Sequence, residues 1–370
     1  MIRAGRWALT VLLLTASPAG AQQYVPDPAS ATAGFEVTGY RFGQNFGVRS
    51  LSQWAMPVAV IVPFGRLTVD AGAWYASTRL ERIEGFEQTV TGLTDTQVRA
   101  SYVLGNDAVV LTAMVNAPTG ASELSPAEYA VLASASSSFL AFPVNAYGSG
   151  LSFTGGAAGA IQAGAWNVGL AGSVRFSESY APFVDQEGSF SYRPGPEVRF
   201  RSAADRLIGS SRISFGLTYS TFSDDEYATG AGKVGVYRPG QRLIGEVSLA
   251  TLVGQMAVAA YVWDYYRWAG DSAGVSTRNR ENLLTGGLTV RAPIARTITW
   301  DTGAEGRLSL PEEGQAMLLE IRTGVRFRAT SSLSVVPVAK VAFGRLEEPA
   351  PGLGHAIRGI GFSVFVRQSF

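Results

Sequence analysis

Hydrophobic and polar residues alternate along most of this chain with a period of two. Near the C-terminus Phe362, Val364, Val366 and Phe370 fall on one face, and Gly361, Ser363, Arg367 and Ser369 on the other. Residues 296–308 set Ile298, Trp300, Ala304 and Leu308 against Thr299, Asp301, Gly303, Glu305 and Arg307. Residues 316–328 set Met317, Leu319, Ile321, Val325 and Phe327 against Glu320, Arg322, Gly324, Arg326 and Arg328. Trp166, Val168, Leu170, Val174 and Phe176 oppose Asn167, Gly169, Ser173, Arg175 and Ser177 in the same way. Ile213, Phe215, Leu217 and Tyr219 likewise oppose Arg212, Ser214, Gly216, Thr218 and Ser220. Successive side chains of a strand point to opposite faces, so this period predicts strands. They run to about 10–14 residues, enough to cross hydrocarbon when tilted, whereas soluble strands usually have about 5–6.

The apolar residues are not gathered into helical spans. After the first 21 residues the longest apolar run is Met56 to Pro63, and a membrane helix needs about 20 residues. Lipid offers no partner to a backbone N–H or C=O, so a spanning sheet must close on itself. The predicted fold is all-β: a transmembrane antiparallel up-and-down β-barrel. Aromatic residues near strand ends (Trp74, Tyr75, Trp166, Tyr219, Phe222, Trp263, Tyr265, Tyr266, Trp268) suit two interfacial girdles.

Short connections are expected at 63–65, 105–107, 162–163, 203–210, 253–254, 293–294 and 329–331. Longer ones are expected at 80–91, 118–146, 179–189, 223–238, 268–281, 309–313 and 346–354. Short and long alternate, as periplasmic turns and extracellular loops do in outer-membrane barrels. Counting back from a periplasmic C-terminus, residues 52–62 run downward. Residues 34–44 then supply the upward partner, which also pairs with the last strand. This predicts about 16 strands, or 14 if residues 22–50 form an internal plug and one other segment is not a strand. Pro57 and Pro337 fall inside strands and each removes a ladder donor, which favours a bulge, a bend or a lateral gap.

Composition narrows the setting. Arg3 and Arg6, the apolar stretch Ala8–Thr15 and the small residues Ala19-Gly20-Ala21 make a secretory signal, expected to be cut after Ala21. The mature chain, 22–370, reads as one domain destined for the outer membrane. There is no cysteine, so neither a disulfide nor a thiolate metal site is expected. A net charge of +1 gives no reason to expect nucleic acid. The single histidine, His355, stands beside Gly354 without a recognisable nucleophile motif, so an enzyme is not expected, and no cofactor is implied. Asp224, Asp225 and Glu226 read as a solvated acidic loop or a divalent-ion site shared with lipopolysaccharide.

The polar faces of the strands would line the lumen. They bring inward Arg66, Arg99, Arg175, Arg199, Arg201, Arg212, Arg242, Arg291, Arg307, Arg322, Arg326, Lys340 and Arg367. The acids there are fewer: Asp70, Glu197, Glu246, Asp301, Glu305 and Glu320. Two readings are open. The charges brace one another, with Asp301, Glu305 and Arg307 beside Glu320, Arg322 and Arg326, or the arginines form an anion-favouring lining.

Residues 118–146 are the most distinctive segment. Ser125-Pro126-Ala127-Glu128 predicts a helix start with a serine N-cap, proline at the first position and a capping box, the helix running to about Ser138. Tyr129, Leu132, Ala135 and Phe139 would share one stripe, followed by the apolar Phe139-Leu140-Ala141-Phe142-Pro143. A loop this apolar is expected to fold into the barrel mouth or pack on other loops, as a greasy groove or as a simple cap.

The final strand, ending in Phe370, resembles the assembly signal by which Gram-negative outer-membrane proteins engage the barrel-assembly machinery. Gln368 departs from that pattern. General porins are similar in having 16 strands and a long loop between strands five and six, although theirs is more polar. Pro118-Thr119-Gly120 after an early strand, followed by an apolar loop, resembles the FadL-like transporters, including barrels associated with phenol degradation. The family's Asn-Pro-Ala type signature is absent, since Asn116-Ala117-Pro118 has another order. The resemblance implies passive uptake of a small hydrophobic molecule. Tyr129, Leu132, Phe139, Leu140 and Phe142 would then line the groove where it first binds. A general diffusion porin with an anion-leaning lumen, and a non-transporting adhesin or anchor, remain the alternatives. The expected partners are outer-membrane lipid and lipopolysaccharide, the assembly machinery and a small-molecule substrate.

Overall fold

The computed structural model describes residues 28–370 except 45, 106–107, 186–187, 230–231, 233, 273–274, 279, 312–313 and 348–353. The expected signal segment, 1–21, lies outside the described residues. From the N-terminus the strands are β1 (Ser30–Phe42), β2 (Val48–Phe64), β3 (Leu67–Arg82), β4 (Glu87–Leu93), β5 (Thr96–Leu104) and β6 (Val109–Ala117). Helix α1 (Pro126–Ala135) precedes β7 (Ser152–Ala163), β8 (Trp166–Ser177), β9 (Tyr180–Asp185) and β10 (Gly188–Arg193). Then come β11 (Glu197–Ile208), β12 (Ser211–Phe222), β13 (Asp225–Ala228), β14 (Val234–Tyr237), β15 (Arg242–Val253) and β16 (Met256–Arg267). The chain ends with β17 (Gly270–Ser272), β18 (Val275–Arg278), β19 (Glu281–Ala295), β20 (Ile298–Ser309), β21 (Gln315–Arg328), β22 (Leu333–Glu347) and β23 (Gly354–Ser369).

The long strands pair antiparallel with their neighbours, and β1 closes the ring against β23 from Ser30↔Ser369 to Phe42↔Ile357. β4 and β5 are the two halves of a single wall strand: β4 pairs with the upper part of β3 and β5 with its lower part. The result is a closed barrel of 16 wall strands. The early segment 30–42 is thus wall, as the count of 16 requires, and does not form a plug.

Alternation sorts the side chains as expected. Outward positions carry exposed apolar side chains, among them Val58 (60%), Leu170 (64%), Phe200 (57%), Met317 (61%), Phe343 (54%) and Ile360 (73%). They recur on strands all around the wall. A soluble monomer rarely exposes an apolar patch larger than about 300–600 Å². A continuous apolar belt on a sheet with no free edge is suited to hydrocarbon, where every backbone group must be satisfied within the sheet.

Several expected loops are more ordered than the sequence suggests. The stretch 80–91 is the tip of a hairpin: β3 runs on to Arg82, and Arg82 N–H bonds Phe86 O at 2.8 Å. Its Glu87 and Glu81 form ion pairs across strands, with Arg79 at 2.5 Å and Arg49 at 2.9 Å. The expected turn at 203–210 is confined to two residues, Gly209 and Ser210, because β11 stays paired to Ile208. Segments 179–189 and 223–238 build a four-stranded sheet in the order β14-β13-β10-β9, and β17 pairs with β18 within 268–281.

Neither in-strand proline shifts the register. The β1–β2 ladder omits the pairs beside Pro57 between Ala33↔Val58 and Glu36↔Ala55, and the β21–β22 ladder omits those beside Pro337 between Gly324↔Val338 and Phe327↔Val335. On their other sides Pro57↔Trp74 and Pro337↔Val364 stay in register. Each proline removes a short run of pairs from one ladder, and the wall carries on unchanged.

Candidate functional site: the inserted loop and the barrel mouth

The segment between β6 and β7 enters the barrel. Its helix begins as the sequence predicts. Ser125 Oγ accepts from Glu128 N, and Glu128 Oε2 accepts from Ser125 N at 2.8 Å, closing the capping box behind Pro126. It ends at Ala135, three residues short of the expected Ser138. Ser134 and Ser136 turn their hydroxyls onto Ala130 O and Ala133 O, bonds that compete with helix continuation. Val131, Leu132 and Ala135 form the buried stripe, while Tyr129 is 44% exposed on another side.

Beyond the helix the chain is held against lumenal side chains of five wall elements. Tyr40 Oη on β1 donates to Leu140 O at 2.9 Å. On β2 the Gln53 amide grips Val144 at both ends, donating to its carbonyl (2.6 Å) and accepting from its N–H (2.9 Å). Tyr147 Oη lies 3.1 Å from Thr78 Oγ1 on β3 and donates to Val90 O on β4. Arg307 on β20 donates to Phe139 O at 3.2 Å. Ala141, with φ of 50°, turns the chain so that Leu140 and Phe142 both bury. This left-handed conformation costs a non-glycine residue about 1 kcal/mol. Phe139, Leu140 and Phe142 are each 7% exposed or less, and burying such a side chain contributes about 1.5–3 kcal/mol. Phe142 meets Tyr40 edge-on at 5.4 Å.

The structure therefore changes the geometry of the expected groove. Leu132, Phe139, Leu140 and Phe142 are packing residues of a lumen-filling loop and do not face open water. Of the five groove residues, Tyr129 alone stays at the surface. It begins an aromatic file that the sequence reading missed. Tyr129 lies 5.1 Å from Phe183, Phe183 stacks on Phe190 at 4.7 Å, and Phe190 stacks on Tyr227 at 5.8 Å. The rings come from α1, β9, β10 and β13. The one available signal was an aromatic residue in each of three segments read as loop.

The base of the inserted loop is fastened at the break between β4 and β5. Asp95, 8% exposed, accepts from Asn116 Nδ2 (2.8 Å), Gly120 N (3.0 Å), Ser149 N (2.7 Å) and Ser149 Oγ (3.0 Å). One carboxylate thus holds both ends of the insertion. Thr119 Oγ1 donates to Thr94 O and accepts from Thr96 N, bracing the same break. Gly120 is required by close approach, since a Cβ there would sit 2.1 Å from Tyr147 O. The Pro118-Thr119-Gly120 stretch is explained by these contacts. Asp95 was not singled out in the sequence, although three polar residues in a row, Thr94-Asp95-Thr96, interrupt the alternation.

Most lumenal charges brace one another. Arg99 pairs with Asp70 (2.9 Å), Arg199 with Glu197 (2.7 Å), Arg212 with Asp205 (2.8 Å), Arg291 with Asp301 (2.5 Å) and Lys340 with Glu36 (3.4 Å). Arg201 pairs with Glu246. Arg307 bridges Glu305 (2.6 Å) and Glu320 (3.6 Å) as expected, but Asp301 turns to Arg291 on the opposite neighbouring strand. Arg322 and Arg326 form no ion pair among the described residues, and Arg175 donates to Ser152 Oγ at 3.3 Å. The three loop acids part company: Asp224 pairs with Arg238, Asp225 accepts from Tyr192 Oη and Gly195 N, and Glu226 faces Arg193 at 3.9 Å. Burial pushes the Asp225 carboxyl above its ordinary range, and burial together with the Asp225 carboxylate raises the Tyr192 phenol. Among the described residues no cluster of His, Asp and Glu is arranged to hold a metal ion. His355 is buried, with Nδ1 3.2 Å from Gln44 O and its ring 5.4 Å from that of Phe46.

No family model and no curated protein matches the chain. Solved structures are similar in outline. A deletion mutant of the monoaromatic hydrocarbon channel TodX aligns at a TM-score of 0.49 and 11% identity, over 94% of this chain and 92% of that one. A FadL homologue of Pseudomonas aeruginosa aligns at 0.47 and 10%, over 93% and 91%. The outer-membrane protein OmpT of Vibrio cholerae aligns at 0.41 and 9%, over 94% and 99%. These likenesses describe the course of a barrel wall.

Proposed function

We propose that this protein is an outer-membrane barrel that takes up small hydrophobic molecules passively and performs no chemistry on them. The observation that carries the reading is the aromatic file Tyr129–Phe183–Phe190–Tyr227, which is continuous with an apolar loop folded inside the lumen. Stacked rings at the mouth offer an apolar solute a place to leave water, because removing apolar surface from water is favourable at roughly 25 cal/mol per Å². Beyond them the solute meets α1 and the Phe139–Phe142 core. The anion-pore alternative is weaker, because seven of the thirteen lumenal basic residues, Arg99, Arg199, Arg201, Arg212, Arg291, Arg307 and Lys340, are paired with neighbouring carboxylates. Cells carrying the barrel in their outer membrane, given dilute labelled toluene, are expected to accumulate it faster than cells without it. Equal rates would overturn the proposal.

A further inference from the structure

A second feature of the mouth lies under the same loop sheet that carries the aromatic file, lined by Tyr192, the register partner of Tyr227. Beneath the β9–β10–β13–β14 sheet, a cavity of about 190 Å³ opens among the upper ends of β8, β12, β15 and β16. Its floor is unusual in charge. Arg242 and Arg267 are direct cross-strand partners, and like charges placed directly opposite destabilise a sheet. Arg267 turns to Glu281 at 3.2 Å. Among the described residues Arg242 has no acidic partner within ion-pair distance, and its buried Nε has no hydrogen-bond partner. Its guanidinium lies over the Phe222 ring at 4.7 Å. A third arginine, Arg175, is the register partner of Glu197, yet Glu197 turns to Arg199. The other acid in the wall, Asp225, is engaged by Tyr192 Oη and Gly195 N. Among the described residues Arg175 and Arg242 therefore form no ion pair, and the nearest carboxylate charge on Arg242, that of Asp225, is turned to Tyr192 and Gly195.

We infer that this cavity binds a small aromatic carboxylate, its acid group between Arg242 and Arg175 and its ring against Phe222 and Tyr192. A guanidinium prefers a carboxylate held by paired, charge-assisted hydrogen bonds. The Arg242 guanidinium lies over one face of Phe222, so a ligand ring would meet the remaining surface of Phe222 and the Tyr192 ring, which also line the cavity. The inference rests on the uptake reading and deepens it, making the substrate amphipathic. The cavity is a selective, charged site at the mouth, next to the aromatic file that starts at Tyr129.

The test is calorimetric titration of the purified, folded full-length barrel in detergent with benzoate, toluene, acetate and sulfate. Benzoate is expected to bind saturably and at least about tenfold more tightly than each of the other three. Arg242→Gln should abolish that margin, and Arg242→Lys should restore part of it. A separate variant, Phe222→Leu, should weaken benzoate and leave acetate unchanged, which separates ring recognition from a folding defect. Absence of saturable benzoate binding overturns the inference. So does sulfate binding as tightly as benzoate, or benzoate affinity that ignores Arg242→Gln. Because binding is read without transport, toluene uptake by cells can succeed while this site fails, and the two proposals fall separately.

Discussion

Two sides of one barrel have differently filled interiors. On the side made by β20 to β23 and β1 to β4, lumenal positions hold Tyr40, Leu51, Ala76, Leu80, Leu318 and Ile357, each 3% exposed or less, among the paired charges of Glu305, Arg307, Glu320, Glu36 and Lys340. On the side made by β7 to β16, the corresponding positions hold glycine, serine, threonine and arginine, and the wall is roofed by a sheet of loop strands. The outward faces of the two sides are alike. The difference shows that the inner face of a barrel follows its contents. Where the inserted loop packs, apolar side chains stand among the paired charges; where it does not, small residues and arginines take their place.

The contrast can be broken first at Asp95. Asp95→Ala removes the one acceptor shared by Asn116, Gly120 and Ser149, and should free both ends of the insertion at a cost of about 3 kcal/mol. Limited proteolysis should then cut within 118–150 while the wall stays intact; an uncut loop would show that the node is dispensable. Gln53→Ala, which loses the two-ended grip on Val144, should cost about 2 kcal/mol. Hydrogen exchange should rise at residues 139–147 alone, and a rise spread over the wall would contradict a local anchor. Tyr129→Ser shortens the aromatic file without touching the buried core, so toluene uptake should fall a few-fold with the melting temperature unchanged. Smallest of all, Arg238→Ala breaks an exposed pair with Asp224 outside the barrel. Thermal unfolding should not register it, since exposed ion pairs contribute little.

The wall was legible because the membrane imposes period two on every strand. The five patterned segments, the closing partnership of the first and last strands, and the position of the insertion between wall strands five and six follow from that alternation. The helix start was legible for a local reason, its capping box. What escaped depends on contacts that no local pattern records. Asp95 works through residues 21 to 54 positions away. The loop strands are short and bear prolines and acids, so Phe183 reads as loop and Phe190 falls just past the expected loop 179–189, although the two rings stack. The lumenal pairing was only half visible, because Asp301 had arginines on both neighbouring strands and period two alone does not choose between them.

The most direct test of a loop-filled lumen is single-channel conductance in a planar bilayer, comparing the intact barrel with one whose residues 121–147 are replaced by a short glycine-serine linker. If the insertion occupies the lumen as described, the intact protein gives small steps or none, and the shortened one conducts several-fold more. Equal conductance from the two would contradict that account and place the insertion outside the path through the barrel.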